Sequence, residues 1–170
     1  PYEDLVDGRA RGSVTFLDKN GNTFAWRGDQ LGDIITSTSI SPMLKNAIVA
    51  TEDKRYYRHF GISPRGILGA IKTNLKAGRG PLKGSGGSTI TQQTAKLICL
   101  GKEYNPNKWE SERQYEADCR KITKTRKIKE AIFAVIMEFR YTKDEILSLY
   151  LNRAYLGAGS RGFEAASQRY

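Results

Sequence analysis

Two glutamates carry the strongest chemical suggestion in this chain. Glu52 ends a helical stripe formed by Leu44, Ala47, Ile48 and Thr51, where partial desolvation would raise its pKa and make it a usable base. Glu130 stands beside Arg126 and Lys127, whose charges would keep it ionised. A pair of carboxylates in different environments is what chemistry at a sugar anomeric centre requires. Each also has a plainer reading. Glu52 could be an ordinary surface residue of a helix, and Glu130 an i,i+4 partner of Arg126 worth about 0.2–0.5 kcal/mol.

Between the two glutamates lies Gly84-Ser85-Gly86-Gly87-Ser88-Thr89-Ile90-Thr91-Gln92-Gln93. Glycines give way to hydroxyl residues and then to a helical pattern, with Ser88 or Thr89 able to cap it. Thr89 and Gln92 have the spacing of a capping box. A helix opening from such a loop presents free N–H groups and suits a phosphate; a linker followed by a capped helix reads the same way. Other templates fail. His59 is the sole histidine, which excludes a histidine-rich zinc site. The glycine run lacks the Gly-Lys-Ser/Thr ending of a nucleotide-binding P-loop, and no zinc-finger or RNA-recognition pattern is present. Cys99 and Cys119 would be buried thiols in a reducing compartment. In an oxidising one they could close a loop worth about 3 kcal/mol.

The elements that must position these residues are mainly helical. Ser13 to Trp26 reads as a β-hairpin around Asn20-Gly21, packing an edge onto the later part of the chain, and residues 1–12 read as an arm. Ser41-Pro42 and Ser63-Pro64 each open a helix. The second carries Ile67, Leu68, Ile71 and Leu75 opposite Arg65, Lys72 and Lys76, a pattern that suits a membrane surface or a core with a solvated face. A helix runs from Thr89 to about Leu100, then a polar excursion from Gly101 to Asp118 without sustained periodicity. The longest helix is expected over Arg120–Arg140, with Ile128, Ile132, Val135, Ile136 and Phe139 as its apolar face and Glu130 opposite. Thr142 and Glu145 form a second capping box. A tight turn spans Gly157–Gly162, and a last helix begins near Phe163.

The chain has 170 residues and 28 basic against 18 acidic groups, net +10. Between Asp53 and Glu103 there are ten cations and no acid; setting those ten aside leaves 18 basic against 18 acidic. One segment thus carries the whole excess, which points to an anionic partner: nucleic acid, a phospholipid surface or a phosphate-bearing substrate. No apolar run approaches the ~20 residues of a membrane span. Pro1 is not a natural start and the final helix stops in mid-pattern, so the chain is expected to be a piece of a longer protein.

Taken together, the motifs resemble the peptidoglycan glycosyltransferases, glycosyltransferase family 51, the glycan-polymerising domain of class A penicillin-binding proteins and monofunctional transglycosylases. The resemblance covers about residues 40–170. Glu52-Asp53 through His59 and Gly61 looks like the first family motif, with Tyr56 where phenylalanine is usual. Residues 86–93 match the second, Arg126-Lys127-Ile128-Lys129-Glu130 the third, Lys143 to Asn152 the fourth and Arg161 to Ala166 the fifth. Any one is weak; five in order are specific. Departures are Thr94 and Leu97, where leucine and asparagine are usual, and an excursion with two cysteines that is longer than the usual connection.

The resemblance implies a mainly α, lysozyme-like lobe with a small membrane-associated jaw from about Pro64 to Leu82. The implied substrates are lipid II and the growing lipid-linked glycan. Glu52 would be the general base on the acceptor's 4-hydroxyl, and Glu130 would lie on the donor pyrophosphate side, with a divalent cation (Mg or Mn) as a further expectation there. Ser88, Gln92, Lys96, Arg126 and Lys127 would hold the pyrophosphate and donor sugar. Asp53, His59, Thr89, Gln93, Asn152 and Arg161 would complete the substrate-binding set. The setting implied is the outer face of a bacterial cytoplasmic membrane, with the anchor outside this chain, cell-wall synthesis proteins as partners and no nucleic acid. Two rivals stay open: a lytic muramidase-like enzyme, and a non-enzymatic basic module binding anionic membrane or nucleic acid.

Overall fold

A computed structural model of the chain describes residues 2–6, 14–27, 30–81, 86–121 and 123–170. Part of the expected arm, the first residue of the hairpin segment, the end of the expected jaw and the Gly84-Ser85 start of the glycine run lie outside them. The architecture is mainly helical. In chain order it runs α1 (Tyr2–Val6), β1 (Val14–Leu17), β2 (Thr23–Arg27), β3 (Gln30–Leu31), α2 (Pro42–Glu52), α3 (Pro64–Lys76) and α4 (Ile90–Leu97). Then come α5 (Glu112–Arg120), α6 (Lys124–Arg140), α7 (Lys143–Arg153), β4 (Ser160–Arg161) and α8 (Phe163–Arg169).

Helix α7 is the centre. Its Thr142–Glu145 capping box forms as expected, and Ile146 to Leu151 are all buried, so it is covered on every side. Burial of each large aliphatic side chain is worth roughly 1.5–3 kcal/mol, which makes α7 the main source of cohesion. Helices α1, α4, α6 and α8 pack around it, with Ile48, Tyr56, Ile90, Ala95 and Met137 completing the core. The hydroxyl that Tyr56 adds donates to Lys143 O at 2.6 Å. Burial pushes that phenol's pKa upward, so it remains a donor.

Five expectations need correction. Residues 2–6 are a docked helix, with Val6 buried, the Tyr2 hydroxyl donating to Glu145 O and Arg153 Nε donating to Leu5 O. The hairpin forms, antiparallel with Gly21 at φ +85°. Its Val14, Phe16 and Phe24 stay exposed, so among the described side chains the expected packing of that edge is not seen. Of the α2 stripe, Ile48 is buried whereas Leu44, Ala47 and Thr51 are exposed. On α3, Ile67, Leu68 and Leu75 face outward and Asn74 is the buried residue, donating to Pro81 O; the core-packing alternative for that helix fails.

The fifth concerns α6. Glu130, Ala134 and Met137 face the core, while Ile128, Ile132, Ile136 and Phe139 are exposed, Phe139 at 77%. Periodicity locates an apolar stripe but not which side of it meets protein. Here Glu130 points inward and the stripe outward.

The excursion also holds more order than its sequence suggested. Helix α5 covers Glu112–Arg120, capped by Ser111, and Thr123 then caps α6 at Lys124. Trp109 and Tyr115 are buried in a satellite core with Cys99, Tyr104 and Cys119, and a Cys99–Cys119 disulfide joins its ends, Cα atoms 5.3 Å apart. Closing a loop of this length contributes about 3 kcal/mol through the unfolded state. A C99S/C119S variant is therefore expected to lose about that much in denaturant titration; an unchanged midpoint would count against it.

Candidate functional site

Three helices meet at Glu52. The residue ends α2 with an exposed side chain, and its carboxylate accepts a hydrogen bond from Gln93 Nε2 of α4 at 3.0 Å. From α7, the buried Tyr150 phenol lies close enough to sense the charge. Burial first, and the Glu52 carboxylate second, push its pKa to about 12. The desolvation expected of Glu52 is not met in the chain alone. Tyr150 reads in the sequence only as part of an apolar stripe, and nothing in its spacing marks it as a neighbour of Glu52.

Asp53 turns the other way. It is buried and accepts from His59 Nε2 at 2.8 Å and from the Ile90 N–H, the first amide of α4, at 3.1 Å. One carboxylate thus ties the end of α2 to the start of α4, with favourable placement at a positive helix end. The Thr89–Gln92 capping box is complete, and the Thr89 hydroxyl donates to Gly61 O. Gly61 needs to be glycine: its φ is +73° and a Cβ would sit 2.8 Å from Ala134 O. Asp53, His59, Thr89 and Gln92 therefore hold the frame through protein contacts.

The second carboxylate sits on α6. Glu130 is 2% exposed, ion-paired with Arg126, and it accepts from Lys127 Nζ at 3.1 Å. The same Lys127 ammonium donates to Ser88 Oγ at 2.6 Å, joining the glycine loop to α6. A Cβ on Gly87 would lie 2.7 Å from Ile67 Cα, so only glycine lets this loop lie against α3. Lys96 completes the group from α4. Its pKa is lowered by burial first and then by the charges of Arg126 and Arg120. That of Lys127 is lowered by burial, then by Arg126 and Lys96. Like charges held together and half out of water are an arrangement that an anion would neutralise.

Helix α4 is the shared wall. Gln93 reaches Glu52 and Lys96 faces the cations, and residues three apart lie on one helix face about 4.5 Å apart along the axis. Thr94 and Leu97, the two departures from the family pattern, point away. Thr94 is buried with its hydroxyl on Ile90 O, and Leu97 packs on the core. Two expected site residues are engaged in protein contacts. Asn152 uses its amide on both backbone groups of Ile35 and on Ser148 O, clamping a loop. Arg161 is buried and ion-paired with Glu116 of α5 at 3.2 Å.

The cluster's chemistry predicts its pH response. A lysine must be protonated to hold a phosphate, so anion affinity should fall on the alkaline side at lower pH than for an ordinary lysine near about 10.4. The same shift has an opposite effect on stability. In the interval between the lowered folded pKa and the unfolded one, the unfolded chain binds more protons, so stability rises with pH. Calorimetric titration with inorganic pyrophosphate across pH checks the first, thermal melts the second; affinity unchanged up to the ordinary lysine range would contradict it.

A sequence profile of the family described as transglycosylase matches residues 20–170. Penicillin-binding protein 1A of Aquifex aeolicus (strain VF5) is 39% identical over 175 residues, covering 99% of this chain and 21% of that protein. Penicillin-binding protein 1A of Escherichia coli (strain K12) is 36% identical over 166 residues, covering 98% and 17%. Penicillin-binding protein 1A/1B of Bacillus subtilis (strain 168) is 35% identical over 158 residues, covering 93% and 15%. The chain thus spans about a fifth or less of these relatives. The matched segment contains both carboxylates, the capped glycine loop and the cation cluster, and with it this chain belongs to the transglycosylase family, as a glycosyltransferase domain of the class A penicillin-binding-protein type.

Proposed function

We propose that the chain polymerises lipid II into glycan strands by inverting transfer. The observation that carries this is the common wall of α4, which sets Gln93 on the exposed Glu52 carboxylate and Lys96 in the cation cluster. In this reading Glu52 takes the proton of the acceptor sugar's 4-hydroxyl. The freed oxygen bonds to the donor's anomeric carbon from the face opposite the leaving group. The carbon–oxygen bond to the polyprenyl pyrophosphate breaks, and the electron pair leaves with the phosphate. Lys96, Arg126, Lys127 and Ser88 stabilise that developing charge. Closure of the substrate over Glu52 would supply the desolvation that the chain alone does not.

A divalent cation at Glu130 would compete with side chains already there. Among the described residues no three His, Cys, Asp or Glu side chains gather into a metal site, and the Glu130 carboxylate is already taken by two cations. No step here is routed through one. Among them no helix is long and apolar enough to cross a membrane. The outward faces of α3 and α6 instead support contact with a membrane surface, exposed aliphatics beside Arg65, Lys72 and Lys76 on α3. That suits a lipid-linked substrate at the outer face of a cytoplasmic membrane. A lytic muramidase has no use for the cation cluster, so that rival is disfavoured.

The test is incubation of the full-length protein with lipid II and gel analysis of the product. A ladder of glycan polymer with released polyprenyl pyrophosphate is expected. No polymer from folded protein, or cleavage of preformed strands instead, would overturn the reading.

A further inference from the structure

The disulfide-bonded excursion touches the cation cluster at more than one point, although nothing in the motif pattern gives it a place there. Cys99 lies just beyond the α4 helix that carries Lys96, and its disulfide partner Cys119 immediately precedes Arg120 on the last turn of α5. The covalent bond therefore registers Arg120 against the end of α4. A second link comes one residue on, where Arg126 Nε of the cluster donates to the carbonyl of Lys121, the C-cap residue of α5. A third is electrostatic: Arg120 is among the charges acting on the Lys96 ammonium. Glu116, one turn back on α5, pairs with both Arg120 and Arg161 at 3.2 Å, holding Arg120 in place while its side chain stays 42% exposed.

We propose that Arg120 is a further substrate-contacting cation of the anion site, a phosphate ligand delivered by the excursion and held in register by the Cys99–Cys119 bond and Glu116. This rests on the donor-pyrophosphate reading of the cluster. Arg120 and Arg161 share Glu116, while Arg126 and Lys127 share Glu130. Lys96, Arg126 and Lys127, with Arg120 alongside, make a cation-rich group that a pyrophosphate, with its several negative oxygens, would offset. A guanidinium presents a planar fork to such oxygens, which a lysine at the same place does not.

The experiment uses the full-length protein and two readouts. Arg120→Ala is expected to raise KM for lipid II about tenfold with kcat within about twofold, and to weaken calorimetric binding of inorganic pyrophosphate by a similar factor. Arg120→Lys should recover only part of either. Removing the disulfide as C99S/C119S should raise KM in the parent but add little in the Arg120→Ala background, because the bond acts through Arg120. Lys19→Ala, an equal charge loss at the exposed hairpin turn, serves as the control and should leave both unchanged. Pyrophosphate affinity and KM that are the same for Arg120→Ala as for the parent would overturn the proposal. So would a disulfide effect that persists undiminished without Arg120. Absence of lipid II polymerisation in the parent would instead sink the functional reading, and pyrophosphate binding would still decide Arg120.

Discussion

Glu52→Gln in the full-length protein is expected to lower lipid II polymerisation by about 10²–10⁴-fold, the range for removal of a positioned general base. Its melting temperature stays where it was. The side chain is exposed, and a glutamine amide can keep the Gln93 contact that the carboxylate makes at 3.0 Å. No buried charge is created or destroyed, so lost activity reports lost proton transfer and not lost structure. Glu52→Asp, which withdraws the carboxylate by one methylene, should fall between the two, because proton transfer depends on reach as well as basicity. Equal polymer from Glu52→Gln and parent would remove Glu52 from the mechanism. A matching loss of stability would show that the residue is structural.

At the cation cluster the second large effect divides between two residues. Lys127→Ala removes an ammonium that bridges Ser88 Oγ and Glu130 and is expected to cost about 10²–10³ in turnover, as for loss of one preorganised donor to a developing charge. Stability changes little, because Arg126 still faces Glu130. Arg126→Ala loses comparable activity and also leaves a carboxylate that is 2% exposed with only the half-exposed Lys127 as its partner, a defect worth about 1–3 kcal/mol. Adding Glu130→Gln to Arg126→Ala should return most of the stability and none of the activity. Thermal melts beside polymerisation rates separate the two. Restored activity in the double variant would show that Arg126 serves only to neutralise Glu130.

The parts legible in the sequence were those written in local chemistry. Both capping boxes, the two Ser-Pro helix starts and the Asn-Gly turn depend on a few neighbouring residues, and they formed as read. The ten-cation block contributes Lys96 to the cation cluster, whose Arg126 and Lys127 lie beyond it. What failed depended on knowing what lies on the other side of a helix. The stripe Ile128, Ile132, Ile136 and Phe139 has core-like spacing, yet it faces outward because the Arg126–Lys127–Glu130 group takes the inner side. The same limit hid the inward Asn74 of α3. Helix α5 escaped notice because its order rests on Trp109, Tyr115 and a disulfide to a residue 20 positions away, and no periodicity within it signals that. Tyr150 and Arg120 became site neighbours only once separate helices had converged.

Helix α4 also decides where this chain can change length. Gln93 and Lys96 share one turn, so a single inserted residue between them would rotate one relative to the other by about 100° and aim them at different targets. In the proposed reaction the interval between proton removal and leaving-group capture is therefore gauged by the rise of a helix, not by a loop that could stretch. Beyond Leu97 that constraint ends, and the chain breaks into the turn at Cys99–Gly101, with Cys99 and Leu100 both at positive φ. Extra residues entering there leave the gauge untouched. A long, cross-linked insertion is consequently tolerated a few residues from the cleft, while the eight residues of α4 admit none.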